Sequence, residues 1–506
     1  MPGPSATNPT DGSDALANGS ASTTAPNQSA SDFEASAVPL VVDLDQTLVT
    51  TDTLWESVLK LVREQGLVSL LPAVSALRRG REAFKSFLAD RVMPDPALLP
   101  YHPGVIAQVR AARDAGRPVW LVSAADQRIV HAVASHLGLF DQALGSTRQT
   151  NLKGGAKLEA IKALAENRGY EYIGDHRADL PIWREASASH AVFARGKAPA
   201  WVGDLSFSTT HARSGSTLDS LRALRPHQWV KNVLVLLALF FSHQAADLSL
   251  WPAAISAFVS FCFGASAVYL VNDLLDLEAD RAHRTKRRRP LASGRLAIPT
   301  ALALAAGLTV GSLALALLVT PTLMWIVVLY LVVTTLYSVD LKRRLLVDVL
   351  TLAGLYTLRL VAGGVAVGVE VSPWLMSFSV FFFLGLALNK RYVELKAAER
   401  SGAEKTAGRN YSPEDLPMVG IAGLASGYLA VLVFTLYIVM SPMAARLYER
   451  PGVLWLVEPL LIYWITRLWF IAHRGALDDD PVLFALKDRV SWAVAAGVAL
   501  LLLLAA

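Results

Sequence analysis

From Lys231 to Ala506, apolar residues come in long runs instead of alternating with polar ones, and each run is long enough to cross a bilayer as a helix. About nine such segments can be counted, starting near Val233, Pro252, Thr300, Leu323, Leu345, Pro373, Met418, Val453 and Val490. Ahead of Lys231 the pattern changes. Val38 to Thr47, Pro118 to Ala124 and Tyr170 to Asp175 contain short β-branched runs of the kind that form buried strands, and carboxylates or hydroxyls stand at their ends. A helical pattern fills residues 53–95, and Lys157 falls on a helix predicted to begin after Gly154 and Gly155. These periods predict a soluble α/β domain over 37–205 with a small helical cap at about 53–95, a linker over 206–224, and an all-α polytopic membrane domain over 225–506. Residues 1–36 are rich in Ser, Thr, Ala, Asn and Pro and read as a disordered tail that lacks the apolar core of a signal peptide.

Composition narrows the class. With 53% hydrophobic and 18% charged residues among 506, and a mean hydropathy of +0.39, the chain is no ordinary soluble globule. The net charge of +5 is modest, but its placement is informative. Arg281 to Arg289, Lys342 to Arg344, Lys390 to Lys405 and His473 to Arg489 fall in alternate loops, whereas those around His243, Pro321, Glu370 and Met443 carry almost no Lys or Arg apart from Arg446 and Arg450. The basic loops should face the cytoplasm of a bacterial-type inner membrane, together with the soluble domain and both sites, leaving the C-terminus outside. A lipid bilayer is the expected partner, nucleic acid is not, and an oligomer is left open. Cys262 is the only cysteine, so neither an intrachain disulfide nor a thiolate metal site can form. The chemistry must use oxygen ligands.

Two stretches carry that chemistry. At the edge of the second apolar segment, Asn272 leads Asp273, Asp276 and Asp280, whose steps of three and four place them on one helical face. Their charges would repel unless a hard cation such as Mg²⁺ neutralised them, which points to a Mg²⁺ and diphosphate site. A solvated acidic helix end before a basic loop is the plainer alternative, and three carboxylates on one face argue against it. In the soluble part, Asp43 and Asp45 close the first strand, Thr47 follows, Ser123 ends the second, and Asp175 ends the third with Asp179 four residues on. A phosphoryl-transfer site needs these parts, and Lys157 adds an ammonium; Lys153 competes for that role.

The set Asp-x-Asp-x-Thr, strand-Ser, Lys and Gly-Asp-x-x-x-Asp resembles the four motifs of the haloacid dehalogenase (HAD) superfamily, over roughly Val38 to Leu205. The resemblance implies a Rossmann-like HAD phosphatase domain. Asp43 would be its nucleophile, Asp45 its general acid/base, Ser123 and Lys157 phosphate holders, Thr47 a further binding residue, and Asp43, Asp45, Asp175 and Asp179 the Mg²⁺ site. A second resemblance rests on Arg225-Pro226-His227-Gln228-Trp229-Val230-Lys231-Asn232, the run from Asn272 to Asp280, Arg289-Pro290-Leu291-Ala292-Ser293-Gly294, and Tyr337-Ser338 with Leu341-Lys342. These resemble the UbiA-type prenyltransferases, with a fold of about nine helices around a central cavity, and within them the polyprenyl-phosphate phosphoribosyltransferases.

Members that prenylate aromatic rings carry a second aspartate-rich motif after the sixth span, where this chain reads Asn389-Lys390-Arg391-Tyr392-Val393-Glu394. Exchanging carboxylates for Lys390 and Arg391 turns a cation site into an anion site, unless the pair serves only as positive-inside anchors. Asp340 and Asp348 can pair with Lys342, Arg343 and Arg344; Asp348 is kept as a secondary metal candidate. The resemblance implies Mg²⁺-assisted transfer of 5-phosphoribosyl from phosphoribosyl diphosphate (PRPP) to polyprenyl phosphate. Asp273, Asp276 and Asp280 would hold the metal, with Lys231, Asn232, Asn272, Arg289, Tyr337, Lys342, Lys390, Arg391 and Glu394 around the substrates. The HAD domain would then remove the 5-phosphate, so Mg²⁺ is expected in both domains. The rivals are prenyl transfer to an aromatic or quinone precursor beside an independent phosphatase, and a half that serves only as a scaffold.

Overall fold

In the computed structural model, which describes residues 38–506 apart from 167, 214, 403–408 and 478–479, the soluble part is built around β1 (Leu40–Val42), a strand with every residue buried. The tail read over 1–36 lies outside the described residues. β1 pairs in parallel with β2 (Val119–Asp126) on one side and β4 (Glu171–Gly174) on the other, with Val42 opposite both Leu121 and Ile173. β3 (Gln142–Ser146), β5 (Ala188–Ala194) and β6 (Thr209–Arg213) complete a six-stranded sheet ordered β3-β2-β1-β4-β5-β6. All its pairings are parallel. In this order the chain reverses direction across the sheet at β1, so a crevice opens at the carboxyl ends of β1, β2 and β4.

Between β1 and β2 lie α1 (Thr53–Gln65), α2 (Leu70–Arg78), α3 (Arg81–Ala89) and α4 (Pro103–Asp114). Asp52 starts α1 by accepting from Leu54 N at 2.9 Å, and α1 to α3 form the helical cap. α5 (Gln127–Leu137), α6 (Gly155–Leu164) and α7 (Leu180–Glu185) cover the sheet. The stretch read as a linker differs from that expectation. Thr209–Arg213 is β6, and Thr217–Ala223 is α8, capped by Ser216 and Asp219. An edge strand needs only one neighbour, and two β-branched threonines suffice to favour it without a long apolar run.

The membrane part follows the nine apolar segments, but not all as full spans. α9 (Leu234–Phe241) has only eight residues and is preceded by a 3₁₀ stretch, Pro226–Val233, that carries Lys231 and Asn232. Together they extend about 28 Å at their respective rises. Among the described residues, seven helices are long and apolar enough to cross a bilayer. They contain α10 (Trp251–Leu275), α12 (Ile298–Val319), α13 (Pro321–Val339), α14 (Val347–Val367), α15 (Pro373–Ser401), α16 (Leu416–Met440) and α18 (Val457–Arg474). An eighth is broken by 84° into α19 (Pro481–Lys487) and α20 (Arg489–Ala505). The short helices α11 (Leu277–Ala282) and α17 (Pro442–Leu447) lie in loops. α10 and α14 are the most enclosed of these spans.

The two halves touch through α1. Trp55 and Leu59 pack on a cluster containing Leu270, Leu274 and Ala301. Glu56 and Arg281, each almost fully buried, form a two-pronged ion pair at 2.7 and 2.9 Å. Arg281 Nε donates to Ala292 O, and Thr51 Oγ1 donates to Glu56 at 2.7 Å. Lys60 and Arg63 reach Glu278 at 2.9 and 3.3 Å. Gly294, at φ +72°, lies so close that a Cβ there would fall 2.0 Å from Thr50 Oγ1.

Candidate active sites

The crevice above β1 holds most of the soluble residues singled out from the sequence. Beyond Val42 the chain makes a tight turn with Gln46 in the left-handed region at φ 56°. Lys157, buried on α6, donates to Asp43 Oδ1 at 2.8 Å and to the Tyr172 hydroxyl at 2.7 Å. Tyr172 donates in turn to Asp179 Oδ1 at 3.0 Å, and Asp179 Oδ2 accepts from the Asp175 and His176 amides. Thr47 Oγ1 reaches Asp175 Oδ1 at 3.4 Å. Arg213, on β6, bonds Asp175 Oδ2 at 2.5 Å and Gln46 Oε1 at 2.8 Å. Ser123 is buried in β2 and faces the same cavity of about 550 Å³, which Phe84 and Lys85 of the cap also line. Lys153 also lines it, but Lys157 is the lysine on Asp43.

Oxygens of Asp43, Asp175 and Asp179 lie within 4.8 Å of one another. Asp45 is not in that group; its Oδ1 accepts from Thr53 N at 2.7 Å. Burial pushes the Asp43 carboxyl up, with Lys157 opposing. It pushes Asp175 up to about 7 despite the Arg213 guanidinium. Burial also lifts Asp45 well above the carboxylate range, and Asp52 adds to the shift. Three carboxylates whose oxygens gather this closely fit a hard divalent cation such as Mg²⁺. Asp45, whose pKa burial raises, fits a general acid beside them.

At the C-terminal end of α10 the expected single acidic face is divided. The helix breaks at Asp276, which caps α10 and precedes α11, because its φ and ψ of −94° and 13° leave the helical region. Asp273 and Asp280 are buried and converge on one cation, Arg289, whose Nη1 lies 3.1 and 2.5 Å from them. Arg225 also reaches Asp273, at 2.5 Å. Asp276 is exposed instead and faces Lys342, whose pKa burial lowers. Asn272 donates to Ser338 Oγ, and Tyr337 accepts from Arg409. A pair of carboxylates gathered round one cation fits a hard metal ion, and Arg225 and Arg289 fit phosphate.

Lys231 and Lys390 meet at Asp480, at 2.5 and 3.7 Å. Burial opposes the Asp480 charge, yet the two lysines hold its pKa below the usual range. Tyr269 and Tyr356 act electrostatically on Lys231, and Arg225 lies 5.0 Å over the Tyr269 ring. Arg359 lies nearby on α14. It donates to Asn232 Oδ1 at 2.8 Å, Leu355 O at 2.6 Å and the Tyr330 hydroxyl at 3.1 Å, and has no carboxylate partner among the described residues. Leu234 and Leu360, which follow these residues in sequence, line an apolar cavity of about 630 Å³ with Phe378, Phe382 and Tyr437. Arg391 and Glu394 fall elsewhere. Arg391 is fully buried and paired with Asp348 at 2.9 Å and with Glu394, Tyr411 donates to Asp348, and Arg409 touches both acids. Asp348 is thus held by Arg391, Arg409 and Tyr411, from other parts of the chain than the adjoining basic loop.

Sequence reasoning assigned no role to Arg213, Arg225, Arg359 or Asp480. Arg359 had a readable signal, a charge in the middle of an apolar run. Arg213 had none, because its partners are 38 and 167 residues away.

Comparison with known proteins matches the haloacid dehalogenase-like hydrolase family to residues 40–184 and the UbiA prenyltransferase family to 232–504. A Sinorhizobium fredii protein named Uncharacterized protein y4nM is 38% identical over 465 residues, covering 91% of this chain and 90% of that one. The decaprenyl-phosphate phosphoribosyltransferase of Mycobacterium tuberculosis is 36% identical over 278 residues, 53% of this chain and 88% of that one. Nodulation protein NoeC of Azorhizobium caulinodans is 32% identical over 281 residues, 55% and 90%.

Proposed function

Since the chain belongs to the UbiA prenyltransferase family through its membrane half and carries a haloacid dehalogenase-like hydrolase domain ahead of it, we propose that it transfers 5-phosphoribosyl from PRPP to polyprenyl phosphate and then removes the 5-phosphate. The observation that carries this reading is the cationic wall of Lys231, Lys390 and Arg359, with Leu234 and Leu360, their near neighbours in sequence, lining an apolar cavity. Phosphate-bearing partners on both sides of the reaction need such a wall, and a hydrocarbon acceptor tail needs such a cavity. The similarity to the Mycobacterium tuberculosis enzyme over the same half supports it.

In the transferase site Asp273 and Asp280, which converge on one point, would hold Mg²⁺, which would supply charge neutralisation to the departing diphosphate. Arg225, Arg289 and Lys342 would hold the remaining phosphates, and Lys231, Lys390 and Arg359 would position the acceptor. The lipid phosphate already bears a nucleophilic oxygen, so the residues need only align it with the anomeric carbon and exclude water. In the hydrolase site Asp43, Asp175 and Asp179 would hold Mg²⁺. Asp43 would attack phosphorus, Asp45 would protonate the leaving sugar oxygen, and Lys157 and Ser123 would hold the phosphoryl oxygens. The soluble domain would face the cytoplasm and the C-terminus the outside, as the basic loops suggest.

The test incubates the purified protein with Mg²⁺, polyprenyl phosphate and labelled PRPP and resolves the lipids. We expect labelled lipid without 5-phosphate from the wild type and with it from Asp43→Asn. An unlabelled lipid fraction would refute the transferase reading and favour prenyl transfer to a ring.

A further inference from the structure

A third cavity, of about 570 Å³, lies between the two halves of the chain. One wall is the hydrolase loop, with Gln46, Asp52 and Trp55, and the opposite wall is the beginning of α12, from Arg295 to Thr300. Gln46, Asp52 and Trp55 also line the cavity that holds Asp43 and Lys157, so the two spaces share a partition. Ile298 is where a membrane span begins, which sets this wall at the level of the lipid head groups. Beside the cavity, α8 exposes Leu218 and Leu221, more than half accessible each.

The lining carries positive charge. Arg295 is balanced by Asp219 at 3.3 Å, but Arg195 is exposed and has no ion-pair partner among the described residues. Arg213 stands at the partition with two nitrogens on Gln46 and Asp175, and its Nε is buried without a partner. A buried donor with no acceptor is costly, and an anionic oxygen brought by a ligand would satisfy it.

We propose that this cavity is the entrance through which a membrane-borne phosphomonoester reaches the hydrolase site. Its substrate class is an amphiphile whose phosphorylated polar head rises from the bilayer while its tail stays in the lipid, with a second anionic group near Arg195 and Arg213. The inference rests on the phosphatase reading of the hydrolase domain. Asp43 Oδ attacks phosphorus and the bond from phosphorus to the head-group oxygen breaks. That oxygen takes a proton from Asp45, and water then splits the aspartyl phosphate to give phosphate and free Asp43. Water is the only co-reactant.

The experiment uses the full chain in nanodiscs with two probes, ribose 5-phosphate and synthetic farnesyl-phosphoryl-ribose 5-phosphate. Thr217 lines the cavity, and Cys262 is buried, so Thr217→Cys can be blocked selectively with a bulky methanethiosulfonate and released with a thiol. We expect the block to lower hydrolysis of the farnesyl probe at least tenfold, to leave ribose 5-phosphate within twofold, and to reverse on release. Equal effects on both probes, or none on either, would overturn the entrance, as would a wild type that cleaves ribose 5-phosphate but not the farnesyl probe. A wild type that cleaves neither would refute the phosphatase reading itself.

Discussion

Arg359 is a charge in the interior of a membrane domain, hydrogen-bonded among the described residues to Asn232, Tyr330 and a backbone carbonyl and facing the Tyr356 ring. Such residues are retained for function more often than for stability. Arg359→Gln should raise the KM for polyprenyl phosphate by one to two orders of magnitude, from the loss of about 1.5–3 kcal/mol of charge-assisted bonding. Arg359→Lys should recover part of it; unchanged kinetics in both variants would remove Arg359 from the acceptor site. Asp175 gives a pH prediction. Its folded pKa of about 7 lies above the usual carboxylate value, so the metal-free fold gains from its protonated form at low pH and loses that contribution as pH rises toward 7. Mg²⁺ binds the ionised form. Magnesium-dependent thermal stabilisation of the hydrolase domain should therefore be weak at pH 5.5 and strong at pH 8, with affinity changing up to about tenfold per pH unit below 7. A flat profile would contradict the shift. These residues also show what was legible. Asp43, Lys157, Asp175 and Asp179 could be gathered from motif order, whereas Arg213 could not, since only the parallel register of β6 brings it to Asp175.

Among elements, the nine apolar segments were readable because a long apolar run has few alternatives in water. What the periodicity hid was local. A break at Asp276 removes it from the face shared by Asp273 and Asp280, and the first segment is a helix of only eight residues preceded by a 3₁₀ stretch. α1 depends on a side-chain pairing across the fold. Removing one member of the buried Glu56–Arg281 pair strands the other charge, at a cost of about 3–5 kcal/mol. Glu56→Gln or Arg281→Met should each loosen the halves, seen as faster proteolysis between residues 206 and 224. The double variant should recover much of the loss. Three equally stable proteins would mean that the pair does not hold the interface.

At the scale of the whole molecule, two catalytic domains share one membrane face, and the proposed orientation has a direct check. Ala506→Cys in intact cells should react with an impermeant maleimide, and a cysteine placed at Thr217 should react only after permeabilisation. The reverse pattern would invert the topology. The linkage between halves also has an order in time. Glu56 leaves the ribosome 225 residues before Arg281, so the nascent hydrolase domain carries a buried acid whose counter-charge has yet to be synthesised. Thr51 can satisfy one of its oxygens meanwhile. The loop between Asp45 and Glu56 would reach its final setting only after the second apolar segment has been inserted, so that the hydrolase matures only in chains whose membrane half has begun to assemble.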